Sequence, residues 1–326
     1  NITVDSEGFV LIVLDGIGED YFLDEKLMPE INEYRKNAAT VKIRTGPLTL
    51  SATCISEMMT GVPNAPINGL RNFNLGHPGN SDPWLLAAND PRYSVAMVGS
   101  YVMGNLYQDF SNVNFVNTFK GHSDYYKGDY ETLIVASEWL NDSKHNVLAI
   151  HFSGPDKVGH TWGADSPEYD EKLTHVDQQV SQLLNLIPDE WSVVITADHG
   201  MTEMGTHGSS EDITRDVAAI ISGPQIIPKS ESIGHQRDLS AIMPLILELP
   251  FPVQLHGRIP LEIFDYSIQE KSVIEQWNWN AAYQRQTFFD EKENRNNIEL
   301  SSQKIDWGLL SSCLLYTSPS PRDGVQ

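Results

Sequence analysis

Short apolar runs alternate along this chain with stretches in which apolar residues recur every three or four positions. The apolar runs are typical of buried strands and predict strands at residues 9–14, 93–98, 147–151, 191–196 and 217–221. The wider spacing, with Pro, Gly or Ser at the ends, predicts helices at residues 28–37, 51–60, 130–141, 167–186 and 238–248. Strands that alternate with helices predict an α/β fold with a mainly parallel central sheet and helices on both faces.

This pattern stops at about residue 265, so residues 1–265 form the predicted main domain. Residues 266–306 are polar and rich in Asn, Gln and Glu, which predicts a peripheral helical extension. Residues 307–326 resemble translated adapter sequence, and we expect a disordered or artefactual tail there. Because residue 1 is Asn and no signal-like segment follows it, we expect a mature or truncated piece.

The chain is strongly acidic, with a net charge of −22 over 326 residues. This charge argues against nucleic-acid binding through a basic face. Phosphate esters remain suitable substrates if bound cations invert the local field. The two cysteines form neither a disulfide framework nor a thiolate metal cluster, which leaves oxygen and imidazole ligands for a metal. No apolar run reaches the ~18 residues needed to span a bilayer, so no transmembrane segment is predicted in this chain.

Four segments with metal-ligating or hydroxyl side chains follow predicted strands. The richest contains Asp198, His199 and His207, directly after the strand at residues 191–196. Side chains mounted there are held by the sheet and face the cleft in which open α/β sheets bind ligands. The other segments contain Asp15, the hydroxyl cluster Thr49, Ser51 and Thr53, and the pair Asp156 and His160 in the predicted loop after residue 151. Taken singly, they also fit a polar turn, a helix N-cap and solvated loop residues.

Together these segments supply three Asp, three His and at least one hydroxyl. Zinc binds such oxygen and nitrogen ligands at about four per ion, so six side chains and a hydroxyl oxygen divide between two ions. Two neighbouring ions can polarise a phosphoryl group and deprotonate a hydroxyl. A helix start at the hydroxyl cluster also attracts phosphate. The pattern therefore predicts a two-metal site for phosphoryl chemistry.

Two strings are similar to motifs of the alkaline phosphatase superfamily: residues 151–160, His-Phe-Ser-Gly-Pro-Asp-Lys-Val-Gly-His, and residues 198–208, Asp-His-Gly-Met-Thr-Glu-Met-Gly-Thr-His-Gly. The chain resembles the type I phosphodiesterase and nucleotide pyrophosphatase branch over residues 9–259. Within that branch it is most similar to the catalytic domain of GPI ethanolamine phosphate transferases. The resemblance implies a three-layer αβα sandwich around a mainly parallel sheet, with residues 1–265 as the catalytic domain.

The resemblance also implies roles for individual residues. Asp15, Asp198, His199 and the nucleophile oxygen would bind one ion, and Asp156, His160 and His207 would bind the other. The nucleophile of the family lies ten residues before the glycine at position 61, which indicates Ser51, with Thr49 as the reserve. Asn72, eleven residues after that glycine, would donate to a non-bridging phosphate oxygen.

These expectations describe a two-metal phosphodiester hydrolase, or a phosphoethanolamine-type transferase, that acts through a covalent phospho-serine. The ions would be Zn²⁺, with Mn²⁺ as the alternative. The substrate would be a phosphate ester, including one carried by a lipid or glycolipid. We expect an extracytoplasmic location, with membrane anchoring only if the chain is a fragment. The alternatives are a sulfatase or phosphonate hydrolase of the same fold and a non-catalytic binding domain. Cys54 lacks the Cys-x-Pro-x-Arg context of sulfatases.

Overall fold

The computed structural model describes residues 6–79, 81–252, 254–292 and 302–303. The predicted tail at residues 307–326 lies outside them. The strands within the described residues are β1 (Gly8–Leu14), β2 (Ala39–Arg44), β3 (Val95–Gly99), β4 (Val113–Asn117), β5 (Val147–Phe152), β6 (Trp191–Ala197), β7 (Asp216–Ser222), β8 (Glu231–His235), β9 (Phe251–Pro252) and β10 (Ser302–Gln303). The first eight form one sheet, and β9 pairs with β10.

The main sheet has the strand order β4-β3-β5-β1-β6-β7-β2-β8. Strand β7 runs antiparallel to both of its neighbours, and every other adjacent pair is parallel. The central strands β1 and β5 are buried along their whole length, as expected for parallel strands covered on both faces. The predicted mainly parallel sheet is therefore confirmed.

Among the α-helices within the described residues, the longer ones that flank the sheet pack in two groups. The α-helices are α1 (Glu19–Phe22), α2 (Pro29–Arg35), α3 (Ser51–Thr60), α4 (Pro83–Asn89), α5 (Tyr101–Tyr107), α6 (Lys127–Asp142), α7 (Gly154–Trp162), α8 (Pro167–Leu184), α9 (Asp212–Arg215), α10 (Leu239–Ile246) and α11 (Ile268–Lys292). Helices α2, α6 and α7 contact α8, whereas α3, α4, α5 and α10 contact one another. The sheet lies between the two groups, which gives the expected three-layer α/β arrangement. No helix among the described residues has the length and apolar composition needed to cross a membrane.

One segment differs from its prediction in a way that matters for the site. Asp156 and His160 were expected in a loop, but they lie on helix α7. Pro155 occupies the first turn of this helix and Gly163 ends it. Because the helix is short and contains few apolar residues, its apolar spacing does not reveal it. The four-residue separation places Asp156 and His160 on the same face of α7.

The carboxyl ends of seven strands lie along one edge of the main sheet. Strands β1, β5 and β6 are adjacent and parallel at its centre, and β2, β3, β4 and β8 run in the same direction. The segments that leave this edge carry Asp15 after β1, Ser51 after β2, Asp156 after β5 and Asp198 after β6. Strand order therefore brings together residues up to 183 positions apart, from 15 to 198.

Candidate metal centre

The first cluster of potential ligands contains Asp15, Asp198 and His199, all buried. Nε2 of His199 lies 3.5 Å from a carboxylate oxygen of each aspartate. Oδ1 of Asp198 accepts hydrogen bonds from the backbone amides of Gly16 and His199 at 3.0 and 2.8 Å. Gly16 has φ +77°, and a Cβ there would stand 2.9 Å from Cα of Asp156, so glycine allows this close approach.

The second cluster contains Asp156, His160 and His207. Oδ1 of Asp156 lies 3.4 Å from Nε2 of His160 and 3.3 Å from Nε2 of His207. The two Nε2 atoms are 2.9 Å apart. The rings of His199 and His207 stack with centroids 3.9 Å apart, so the two clusters adjoin. His199 also lies within ligand distance of Asp156 and His207, which makes it the link between the clusters. The side chain of His160 is 47% exposed and opens the centre to solvent.

Backbone carbonyls determine the tautomer of all three histidines. Nδ1 of His199 contacts the carbonyl of Gly200 at 3.0 Å, and Nδ1 of His160 contacts that of Gly205 at 2.9 Å. Nδ1 of His207 contacts the carbonyl of Thr49 at 2.6 Å. A carbonyl only accepts, so each Nδ1 carries the hydrogen and each neutral Nε2 presents a lone pair to the centre. Lone pairs that converge in this way require a cation or a proton between them.

Two carboxylate oxygens in the centre are suited to a cation. Oδ1 of Asp156 and Oδ2 of Asp198 are buried, and their polar neighbours are imidazole nitrogens, of His207 at 3.3 Å and of His199 at 3.5 Å. Buried carboxylate oxygens with so few donors are costly unless a cation or a proton compensates them. With converging oxygen and nitrogen donors, the set of side chains fits two divalent ions of the zinc or manganese class.

Burial and the close approach of the ligands to one another shift the pKa values of Asp15, Asp156 and His207. Burial raises the pKa of Asp15, and the charges of Asp198 and Asp156 raise it further. Burial alone would raise the pKa of Asp156, but the hydrogen bond and charge of protonated His207 and the other imidazoles lower it to about 2. Burial opposes protonation of His207, yet the hydrogen bond to Asp156 outweighs burial and raises the pKa of His207. The lowered pKa of Asp156 and the raised pKa of His207 thus have one shared cause, the contact between their side chains.

The hydroxyl cluster resolves into three different roles. Ser51 is the first residue of α3, and the helix has Leu50 at its N-cap without a side-chain hydrogen bond, so Ser51 is not used as a cap. Its Oγ lies 3.2 Å from Oδ1 of Asp15 and 3.1 Å from Nε2 of His199. Thr49 instead donates to the carbonyl of Ser209 and accepts from the amide of Gly208, both at 2.8 Å.

The third hydroxyl, Thr53, donates to the backbone carbonyls of Leu48 and Leu50. Of the three hydroxyls, only the one on Ser51 reaches the carboxylates and imidazoles of the centre. Cys54 is buried, and its thiol contacts the carbonyl of Leu48.

Asn72 lies beside the start of α3. Its Oδ1 accepts from the amide of Ala52 at 3.3 Å, which brings the side-chain amide next to Ser51. From there a row of aromatic contacts leads back to the ligands. Phe73 contacts His122, His122 contacts Phe119, and Phe119 contacts Tyr101 at a centroid distance of 4.9 Å. Burial raises the pKa of Tyr101, and the charges of Asp15 and Asp156 raise it further, so Tyr101 is near both carboxylates.

Sequence reasoning did not find several residues that support the centre. Nε2 of Gln236 donates to the carbonyl of Asp198 at 2.6 Å. Asp129 accepts from the amide of Gly154, at the start of α7, and forms a buried ion pair with Lys172 at 2.7 Å. The signals were weak: polar residues in apolar surroundings, each paired with a residue far away in sequence. His151 begins the string at residues 151–160 that resembles the family, but the sequence indicates no function for its side chain.

Comparison with known proteins places the chain in context. The family described as type I phosphodiesterase / nucleotide pyrophosphatase matches residues 9–220. GPI ethanolamine phosphate transferase 1 of Gibberella zeae is 28% identical over 206 residues, covering 54% of this chain and 21% of the relative. The catalytic subunit of mouse GPI ethanolamine phosphate transferase 3 is 26% identical over 224 residues, covering 67% of this chain and 20% of the relative. The chain thus spans about a fifth of the length of these relatives.

Two solved structures share the fold. Murine ectonucleotide pyrophosphatase / phosphodiesterase 5 aligns with a TM-score of 0.56 at 14% identity, over 74% of this chain and 95% of that one. A 2-O GAG sulfatase aligns with a TM-score of 0.59 at 15% identity, over 77% of this chain and 72% of that one. At such identities the likeness concerns the fold alone.

Proposed function

This chain belongs to the type I phosphodiesterase / nucleotide pyrophosphatase family, and we propose that it cleaves phosphodiesters with Ser51 as the nucleophile and two zinc ions as cofactors. Asp15, Asp198, His199 and the oxygen of Ser51 would hold one ion. Asp156, His160 and His207 would hold the other.

The observation that carries this proposal is the convergence of three imidazole Nε2 atoms and two buried carboxylate oxygens beside the hydroxyl of Ser51. A phosphodiester is an anion, and three carboxylates in a chain of net charge −22 would repel it. Bound divalent ions would invert this field, polarise the phosphoryl oxygens and lower the pKa of the attacking hydroxyl.

The residues of this chain support an in-line displacement in two steps. In the first step the hydroxyl of Ser51 gives up its proton to water and Oγ forms a bond to phosphorus, while the bond from phosphorus to the leaving oxygen breaks and that oxygen takes up a proton from water to depart as the alcohol. Asn72 donates its amide hydrogens to a non-bridging oxygen as charge develops there. In the second step water or an acceptor alcohol loses a proton and attacks phosphorus, the bond from phosphorus to Ser51 Oγ breaks, and Ser51 takes up a proton to restore its hydroxyl. The start of α3 at Ser51 favours the anionic intermediate electrostatically.

Ethanolamine phosphate is the group that we propose is transferred, because the curated relatives are named for it. Hydrolysis and transfer share the first step and differ only in the acceptor of the second. A donor carried by a lipid fits the apolar surface beside Ser51. Ile67 and Leu70 are 62% and 84% exposed, and Phe73 is 70% exposed next to Asn72. Gly69 packs on Leu48 and Leu50, so this surface borders the start of α3.

Metal analysis and turnover on purified protein test the core of the proposal. We expect two zinc ions per chain and release of 4-nitrophenol from bis(4-nitrophenyl) phosphate. In Ser51→Ala the affinity for each ion should stay within about tenfold of the wild-type value, whereas turnover should fall on the order of 10⁴-fold or more. The matched control is Ser56→Ala, which removes a buried hydroxyl from the same helix. A phosphorylated Ser51 peptide in quenched reactions would support the covalent step.

Three outcomes would contradict the proposal. The first is fewer than one bound transition metal per chain without turnover. The second is wild-type turnover in Ser51→Ala. The third is faster cleavage of an aryl sulfate than of the phosphodiester, which would favour the sulfatase alternative.

The lipid-borne donor is tested separately. Leu70→Ser should lower turnover of phosphatidylethanolamine in mixed micelles and leave turnover of bis(4-nitrophenyl) phosphate unchanged. The control is Ile233→Ser, because Ile233 is 80% exposed on edge strand β8. Equal loss on both substrates, or equal loss in the control, would exclude this surface as the lipid contact.

A further inference from the structure

His151 is a buried histidine beside the candidate metal centre that the proposed chemistry does not use. It is the second-last residue of β5 and is 1% exposed. Its Nε2 lies 3.0 Å from Oδ2 of Asp15, and its Nδ1 lies 3.1 Å from Oγ of Ser100. Gly99 makes room for it, because a Cβ at that position would stand 2.5 Å from Cβ of His151. The backbone is thus built around this imidazole.

The hydrogen bonds have a defined direction. A neutral imidazole has one donor and one acceptor nitrogen, and a carboxylate only accepts. Nε2 of His151 therefore donates to Asp15, and Nδ1 accepts from the hydroxyl of Ser100. Burial lowers the pKa of His151, which agrees with a neutral ring. Ser100 is held in turn by the amide of Val102 at the start of α5.

These hydrogen bonds give the two carboxylate oxygens of Asp15 different partners. Oδ2 is engaged by His151, whereas Oδ1 faces Ser51 at 3.2 Å and His199 at 3.5 Å. Without a donor on Oδ2, the carboxylate could rotate and turn the wrong oxygen to the centre.

We propose that His151 is the positioning residue for Asp15 and sets the affinity of the first of two metal sites. The inference rests on the proposed function. Residues that hold a metal ligand typically contribute about 10–100-fold to metal affinity. The effect should be confined to the ion of Asp15, because His151 has no hydrogen bond to the ligands of the second cluster among the described contacts.

Two conservative variants separate positioning from simple burial. His151→Gln keeps an amide N–H where Nε2 donates to Asp15. His151→Asn is shorter and keeps only the contact to Ser100. The control is His145→Asn, because His145 is also buried and bonded to Ser94 and Asn114, outside the centre.

The measurement is a zinc titration of the metal-free chain against a competing chelator, with the melting temperature of each metal-free variant recorded in parallel. We expect His151→Asn to lower the affinity for one of the two zinc ions by about 10–100-fold. His151→Gln should retain most of that affinity, and the control should leave the affinity for both ions unchanged. If His151→Asn does not fold, Ser100→Ala should weaken the same ion by removing the donor to Nδ1.

The possible failures are distinguishable. If the unmodified chain binds no zinc, the proposed function fails and the inference fails with it. If the unmodified chain binds two ions and His151→Asn binds both with unchanged affinity, only the role of His151 is overturned. Equal weakening of both ions, or weakening in His145→Asn, would likewise show that His151 contributes through folding alone.

Discussion

Asp15→Asn should stabilise the metal-free protein at neutral pH and destabilise the zinc-bound protein. Asn has the shape of Asp and can still accept from His151 while its amide donates to Ser51, so both neighbouring contacts are retained. In the metal-free chain the substitution removes a carboxyl group whose ionised form is disfavoured by burial and by the charges of Asp198 and Asp156. In the zinc-bound chain it removes a ligand.

The pH dependence has a definite sign. Because the folded-state pKa of Asp15 is raised, the folded chain holds a proton that the unfolded chain releases at lower pH. The free energy of unfolding of the metal-free protein therefore falls as pH rises through that range. The advantage of Asp15→Asn in the metal-free state should accordingly be larger at pH 8 than at pH 5.

The zinc effect can be given a magnitude. An ion present at about 100 times its dissociation constant stabilises the folded chain by about 2.7 kcal/mol per site. Loss of one of two sites should thus lower the melting temperature in excess zinc by about 4 °C, at about 1.5 °C per kcal/mol for 326 residues with an unfolding entropy of about 2.1 cal/mol/K each.

Calorimetry of both proteins, with chelator and with excess zinc, measures all four states. Asp189→Asn serves as the control, since it makes the same charge change at an exposed position. The reasoning is refuted if Asp15→Asn destabilises the metal-free protein at pH 8, or if zinc stabilises variant and wild type equally.

Two further predictions concern catalysis and stability. Asn72→Ala should lower kcat by about 10²–10³-fold with both metal ions retained, because the amide of Asn72 would stabilise the charge that develops on a non-bridging oxygen. Steady-state kinetics with bis(4-nitrophenyl) phosphate measures this loss. A change in KM alone would contradict the prediction. Asp129→Ala should cost about 3–5 kcal/mol in denaturant unfolding, since it leaves Lys172 buried without its partner. The double variant Asp129→Leu, Lys172→Met should cost less, and an equal cost would argue against an uncompensated charge as the cause.

The elements with continuous apolar signals were predictable. The strands β1, β5 and β6 were expected within two residues of their observed bounds, because parallel central strands must be apolar on both faces. Helix α3 was expected with its observed bounds, Ser51–Thr60. Strand β2 has only Val41 and Ile43 as alternating apolar positions beyond its start, and β8 is largely exposed, so neither was expected.

The candidate site was predictable in composition and less so in arrangement. The residue types and their positions after strands indicated three Asp, three His and a hydroxyl. The choice among Thr49, Ser51 and Thr53 could not be made from their chemistry, because all three are hydroxyls near one helix start. Their hydrogen-bond partners distinguish them, and those of Thr49 lie 159 and 160 residues away.

The sequence by itself determined the donor atoms and the strands that support them, because apolar runs and local spacing are properties of short segments. Only the tertiary structure decided which lone pair faces which carboxylate. Carbonyls from other segments orient the rings of His160 and His207, and His151 orients Asp15 across the β1–β5 pair. The physical reason is that a hydrogen bond depends on direction and distance in space, and strand order, which local pattern does not encode, brings these partners together.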